Sequence, residues 1–181
     1  MKLRLFVAVA VSTRLDSRID QLNQQNSSPK FRLTKKENFH LTLFFLGYVE
    51  EKLLEKIKSI LTKIAKETKP FALSIDRIDL APPQGAKRMI WVYFDKNEVF
   101  TKLAKTVYGA LSEFTKEELK WDPIPHVTLA RSKKTLKTPD FEKVVLSKES
   151  LAVNSLRLYR SQPTRAGSNY TVLAKFLLRK N

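Results

Sequence analysis

A mixed α+β fold assembled from two similar halves about a pseudo-two-fold axis is what this sequence predicts, and two observations carry the reading. Strand-like and helix-like apolar periods succeed one another in the same order twice along the chain. Both of its histidines, moreover, open one tetrapeptide pattern on corresponding strands: His40-Leu41-Thr42-Leu43 and His126-Val127-Thr128-Leu129. The 181 residues, 43% of them hydrophobic and 29% charged, with only 4 Gly and 8 Pro, exclude low-complexity and fibrous readings. The length fits one domain of two intimately packed lobes.

The first half begins with an apolar strand, Leu3–Val11 (LRLFVAVAV), after which Ser12/Thr13 offers an N-cap for a helix over about Arg14–Gln25. A polar loop, Asn26–Lys30, leads to the β-rich run Phe39–Phe45 (FHLTLFF), closed by Gly47. From Glu51 to Glu67, Leu53/Leu54, Ile57, Ile60/Leu61 and Ile64 recur at helical spacing. Phe71–Leu80 (FALSIDRIDL) alternates as a strand, and Ala81–Lys87 (APPQGAK) breaks the pattern. The order then restarts: a strand at Met89–Phe94 (MIWVYF), a helix at Glu98–Phe114, a strand at Pro125–Arg131, a short helix at Phe141–Leu146 and a strand at Leu151–Tyr159. The halves of this repeat run over about residues 1–85 and 86–160, and Tyr170–Leu178, within a final segment 161–181, is a last strand without an obvious mate.

No apolar run approaches the ~20 residues that span a bilayer, and Lys2 and Arg4 interrupt the short N-terminal run too early for a signal peptide. These features, with the complete lack of Cys, lead us to expect a cytoplasmic protein; the missing Cys also excludes disulfides, thiolate metal sites and thiol nucleophiles. The chain carries 34 Lys and Arg against 18 Asp and Glu, a net charge of +16, spread evenly over both halves. Such a body attracts polyanions, RNA first among them, although a lysine-rich surface kept for solubility accounts equally well for charge alone.

With 13 Thr and 25 Leu in the chain, Thr-Leu two residues after a given His arises by chance roughly once in 100, so its recurrence after both is a strong signal. Alternation in a strand places His40 with Thr42, and His126 with Thr128, on one face, while the aliphatic residues between them anchor the other. A two-fold axis near these strands makes the two His-Thr pairs converge on a shared groove. One imidazole can accept a proton while the other donates, and each threonine hydroxyl can donate to a phosphoryl oxygen where charge builds. Ordinary strand preference for β-branched residues is the competing account of the threonines. Arg131, which ends the second motif, is a planar fork suited to phosphate, or else a surface member of the Arg131–Lys134 cluster (RSKK). Metal chemistry is a poor competitor, since no carboxylate triad or His-Glu-x-x-His accompanies the histidines; Asp76 and Asp79, three apart in a strand, face opposite sides as surface or cap groups.

At Arg4–Ala10 (RLFVAVA), Glu37–Gly47 (ENFHLTLFFLG), Met89–Val92 (MIWV), Pro125–Arg131 (PHVTLAR) and Leu156–Tyr170 (LRLYRSQPTRAGSNY) the chain resembles the 2H phosphoesterase superfamily, specifically the RNA 2′,3′-cyclic 3′-phosphodiesterases, also called the RNA 2′-5′ ligase family. The resemblance implies a bilobed fold whose antiparallel sheets line a central groove with helices outside. It implies metal-independent, cofactor-free opening of an RNA 2′,3′-cyclic phosphate to a 2′-phosphate, and in some relatives 2′-5′ joining of tRNA halves. By matching positions, His40 is the expected proton donor and His126 the proton acceptor, with Thr42, Thr128 and Arg131 at phosphate-binding positions. Phe6 matches an aromatic that stacks on a nucleobase, with core packing as the alternative. The chain departs from the commoner pattern at Ala81-Pro82-Pro83-Gln84-Gly85 and at Tyr93, where relatives often have a Phe-Pro pair and a small residue. A monomer acting on RNA ends is expected; a small cyclic nucleotide such as ADP-ribose 1″,2″-cyclic phosphate as substrate, and a non-catalytic RNA-binding module, are the alternatives.

Overall fold

The computed structural model describes residues 1–11, 31–119, 122–137, 141, 143–145, 149–164 and 167–179; the helix expected over Arg14–Gln25 and its cap lie outside the described residues. Two antiparallel sheets form the frame. In the first, β10 (Gly167–Leu177), β9 (Ser155–Thr164), β1 (Lys2–Ala10) and β3 (His40–Glu50) lie side by side in that order. In the second the order is β2 (Arg32–Leu33), β6 (His126–Arg131), β5 (Met89–Phe94), β4 (Phe71–Ala81) and β7 (Val144–Val145), with β8 (Ser150–Val153) pairing the other end of β4.

One three-strand neighbourhood recurs in both sheets, but a division of the chain near residue 85 does not separate them. The neighbours β9-β1-β3 of the first sheet correspond to β4-β5-β6 of the second. Each half therefore gives its last strand to the other half's sheet: β4 pairs with β5, and β9 returns to pair with β1. Sequence alternation reports which face of a strand is buried and not which strand lies beside it, so the exchange leaves no local trace.

Three further expectations change. The strand expected over Leu151–Tyr159 breaks at Asn154 into β8 and β9, which enter different sheets. Within the expected helix Phe141–Leu146, Val144 and Val145 are instead a strand pairing with Ile78 and Arg77; two β-branched residues suit that edge better than a helix. The final strand has a mate after all, since β10 runs antiparallel along β9 for its whole length.

Helices α1 (Leu54–Glu67) and α2 (Glu98–Leu111) cover the outer faces. On α1 the buried residues are Ile57, Leu61, Ile64 and Ala65, one stripe at helical spacing. On α2 they are Phe100, Leu103, Ala104, Val107 and Leu111, and the Asn97 side chain caps the helix by accepting from the Phe100 amide at 2.9 Å. These stripes meet Leu5, Val7 and Leu41 of the first sheet and Ile78, Val92 and Val127 of the second in one continuous core. None of the helices among the described residues is long and apolar enough to cross a membrane.

The groove faces of the sheets carry separate small clusters. Phe6, Ala8 and Tyr159, with Tyr170 against them, form one; Ala81, Trp91 and Tyr93, with Met89, form the other. They are the beds on which the two histidines lie.

Candidate active site

Alternation along β3 and β6 sends Leu41, Leu43, Val127 and Leu129 into the core and leaves His40, Thr42, His126 and Thr128 half-buried on the groove side. The two strands enter their sheets in equivalent registers: Ala10 pairs with His40 and Ala8 with Thr42, as Tyr93 pairs with His126 and Trp91 with Thr128. Equivalent strands of the two sheets thus carry the two His-Thr pairs in matching registers, with His40 near enough to act electrostatically on His126.

Each imidazole is fixed by the backbone two residues before it. His40 Nδ1 lies 2.6 Å from the Asn38 carbonyl oxygen, and His126 Nδ1 lies 2.7 Å from that of Ile124. A carbonyl only accepts, so Nδ1 carries the hydrogen and Nε2 holds the reactive lone pair. Asn38 is itself tied to the opposite hairpin, its side-chain amide donating to the Ser168 carbonyl at 3.3 Å. Both ring orientations are thus set by rigid backbone, the arrangement a proton-transfer group needs.

The beds beneath the rings differ. His126 lies flat on Trp91, centroids 3.6 Å apart and planes 15° off parallel. His40 meets Tyr170 edge-on at 5.2 Å and 90°, and is tilted over Phe6 at 4.9 Å. Burial pushes both imidazoles down from 6.5 to about 4, against the carbonyl contacts that pull the other way. The nearby charges of His40 and Arg131 lower His126 further, and Arg131 acts on His40 in the same direction. Both rings are therefore neutral near pH 7 in the unliganded protein, and an anion in the groove raises their affinity for a proton.

Neither the Thr42 nor the Thr128 hydroxyl bonds to another described residue, so both are available to a ligand. Arg131 reaches the same face through a register slip between Ile90 and Trp91, which reverses the parity that would have sent it to the core. Its Nη1 donates to Met89 Sδ at 3.0 Å, and it has no acidic partner among the described residues. The equivalent residue of the other half, by register, is Phe45. Near-symmetric strands thus give a site that is cationic on one side and aromatic on the other.

Phe6 follows the core-packing alternative. It is 1% exposed, stacked on Tyr159 at 4.9 Å and covered by His40 and Tyr170, so no base can lie on it. The ring open to solvent beside it is Phe45, 48% exposed and 5.5 Å away. Asp76 and Asp79 do not face apart as expected: a slip between Ile75 and Arg77 brings both to one guanidinium, with Arg77 Nη1 on Asp76 and Nε 3.4 Å from Asp79 Oδ2. Arg77 lies over Tyr93, 4.3 Å from the ring centroid. Arg157, which strand alternation alone does not single out, pairs with Ala8 in the row leading to Thr42, and its Nε is buried without a partner. Among the described residues no group of three His, Asp or Glu is placed to hold a metal ion.

The chain is similar to phosphoesterases of known sequence and structure. The family described as LigT-like phosphoesterase matches residues 5–91. The chain is 31% identical over 180 residues to a protein of Archaeoglobus fulgidus named RNA 2′,3′-cyclic phosphodiesterase, covering 96% of this chain and 99% of that one. A protein of the same name from Thermus thermophilus is 31% identical over 186 residues, covering 98% and 91%. Among solved structures, TT0787 of Thermus thermophilus superposes with a TM-score of 0.84 at 27% identity over 98% of both chains. Escherichia coli LigT complexed with 3′-AMP shares the fold, with a TM-score of 0.82 at 22% identity over 99% of this chain and all of that one.

Proposed function

The chain belongs to the LigT-like phosphoesterases of the 2H superfamily, a family of cyclic phosphodiesterases, and from that premise we propose that it opens the 2′,3′-cyclic phosphate at an RNA end to a 2′-phosphate by acid–base catalysis from His40 and His126. The observation that carries this reading is the pair of imidazoles on one groove, each with Nδ1 held by a carbonyl and Nε2 free. His126 Nε2 takes a proton from water as the water oxygen bonds to phosphorus. The bond from phosphorus to the ribose 3′ oxygen breaks opposite, and that oxygen takes the proton carried by His40 Nε2. The product is a 2′-phosphomonoester with a free 3′-hydroxyl; exchange of protons with solvent resets the pair. Thr42, Thr128 and Arg131 hold the two non-bridging oxygens, on which charge accumulates.

The stacking geometry supports this division of labour. The base gains positive charge in the transition state, and the flat face of an indole favours a cation lying over it; His126 is the ring so placed on Trp91. The name shared by the relatives from Archaeoglobus and Thermus supports the substrate, and the net charge of +16 supports a polyanion.

The direct test is incubation, in EDTA, with an oligonucleotide ending in a 2′,3′-cyclic phosphate and with ADP-ribose 1″,2″-cyclic phosphate, separating 2′- from 3′-phosphate products. A 2′-phosphate from the oligonucleotide, undiminished by the chelator, is expected. A 3′-phosphate product, loss of turnover on chelation, or binding without product would each overturn the proposal.

The depressed pKa values also set the pH profile. With both rings at about 4 in the free protein, the singly protonated form that catalysis needs declines about tenfold per unit above that region, so log kcat/KM falls on its alkaline side from below pH 6. Bound phosphate raises the imidazole affinity for protons, so the alkaline limb of kcat lies at higher pH than that of kcat/KM. Profiles measured from pH 4 to 9 that coincide, with limbs near 6.5, would contradict the burial argument.

A further inference from the structure

The catalytic groove does not end at Arg131. Beyond it lies a cleft of about 90 Å³, open to solvent, between β2 on the second sheet and the β9–β10 hairpin on the first. Arg32, Lys35 and Arg131 line it with Asn38, Ser168 and Tyr170, and among the described residues no acidic side chain contributes to its wall. Arg32 stands directly across from Arg131 in the β2–β6 register. Like charges opposite one another on neighbouring strands are destabilising, and among the described residues neither has a carboxylate to offset it. Gly167 (φ +135°) lets the hairpin run close by, so that a Cβ there would stand 3.6 Å from Arg32 Cζ. A pair of forks held in this way is completed by an anion between them.

Three wall residues belong to both sites: Arg131 itself, Asn38, whose carbonyl holds His40, and Tyr170, whose ring packs edge-on against His40. Yet the cleft is a separate position, since neither histidine and neither motif threonine lines it. On the reading that the groove takes a 2′,3′-cyclic phosphate, the reacting group occupies both O2′ and O3′ of the terminal ribose. The only other phosphate of that nucleotide is the one on its 5′ oxygen.

We propose that the Arg32–Lys35–Arg131 cleft is a second phosphate subsite that holds the phosphodiester on the 5′ side of the terminal nucleotide, so that the enzyme recognises a strand end rather than a free cyclic nucleoside phosphate. Charge-assisted contacts of this kind lower KM about tenfold when they are available.

The test compares uridine 2′,3′-cyclic phosphate, the same compound carrying a 5′-phosphate, and the dinucleotide ending in the cyclic phosphate. The wild-type protein is expected to show a KM about tenfold lower for the second and third than for the first, with similar kcat. In Arg32→Gln, and in Lys35→Ala to a smaller extent, that ratio collapses toward one, and the salt dependence of KM for the dinucleotide becomes shallower. Equal KM values for all three substrates in the wild type would overturn the subsite while leaving the phosphodiesterase reading intact. So would an Arg32→Gln variant that weakens all three equally. A dinucleotide that gains where the 5′-phosphate does not would place the recognition elsewhere on the strand. Absence of product from all three would overturn the catalytic reading and the subsite with it.

Discussion

His40→Ala and His126→Ala are each expected to lower kcat by about 10²–10⁴-fold with little change in KM, because on the proposed mechanism each removes one proton-transfer partner and leaves the phosphate-binding groups in place. The double variant should be scarcely slower than the worse single one, since two groups that act in one step are not additive. The singles are distinguished by the leaving group. The ribose 3′ oxygen leaves as a strongly basic alkoxide unless it is protonated, whereas the oxygen of an activated aryl phosphodiester leaves as a stable phenolate. Loss of the acid is therefore masked with the aryl substrate and loss of the base is not. His40→Ala should recover most of its deficit on such a substrate and His126→Ala little of it. The reverse pattern would exchange the two roles, and near-normal turnover in either variant would remove that histidine from the chemistry. Because both rings sit on aromatic beds with their outer edges toward the groove, truncation leaves the core beneath them intact, and circular dichroism spectra should match those of the wild type.

The parts of this site legible in the sequence are those governed by strand alternation within one segment. His-x-Thr sends both polar side chains to one face whatever the partner strand, and the structure has Leu41, Leu43, Val127 and Leu129 in the core opposite them. Parity fails wherever a register slip intervenes. Alternation from His126 and Thr128 would turn Ala130 toward the groove and Arg131 toward the core; the slip opposite Ile90/Trp91 does the reverse. Phe6 is a different case, because β1 is apolar on both faces, so hydrophobicity cannot tell a ring buried under a histidine from one offered to a base. Arg32 is invisible for a third reason: its strand is two residues long, and its place beside Arg131 comes wholly from tertiary pairing. The repeat itself could be read from element order, while the exchange of β4 and β9 between sheets could not. That exchange has a consequence for folding, since neither sheet can be completed from one half of the chain, and the halves are expected to unfold together in a single transition.

Thr42→Val and Thr128→Val are expected to lower kcat by about 10²–10³-fold each, the usual effect of removing one donor aimed at an oxygen on which charge develops. Valine keeps the β-branched shape and strand preference, so the substitution isolates the hydroxyl. That matters because strand preference is the rival explanation for a threonine at these positions, and it predicts no loss at all. The structure favours a chemical role on one point: neither hydroxyl is used by another described residue, although both are half-buried beside a histidine. A half-buried hydroxyl kept for structure would normally be satisfied by the protein. The two hydroxyls occupy equivalent registers opposite Ala8 and Trp91, and on the proposed mechanism each serves one non-bridging oxygen of the bound phosphate. From this symmetry the losses should be similar in size, and affinity for the 2′-phosphate product should fall much less than kcat, since the transition state carries more charge on those oxygens than the product contact requires. Equal losses in kcat and in product affinity would make the hydroxyls ordinary binding groups. Wild-type rates in both variants would leave Arg131 as the only group among these that stabilises the developing charge.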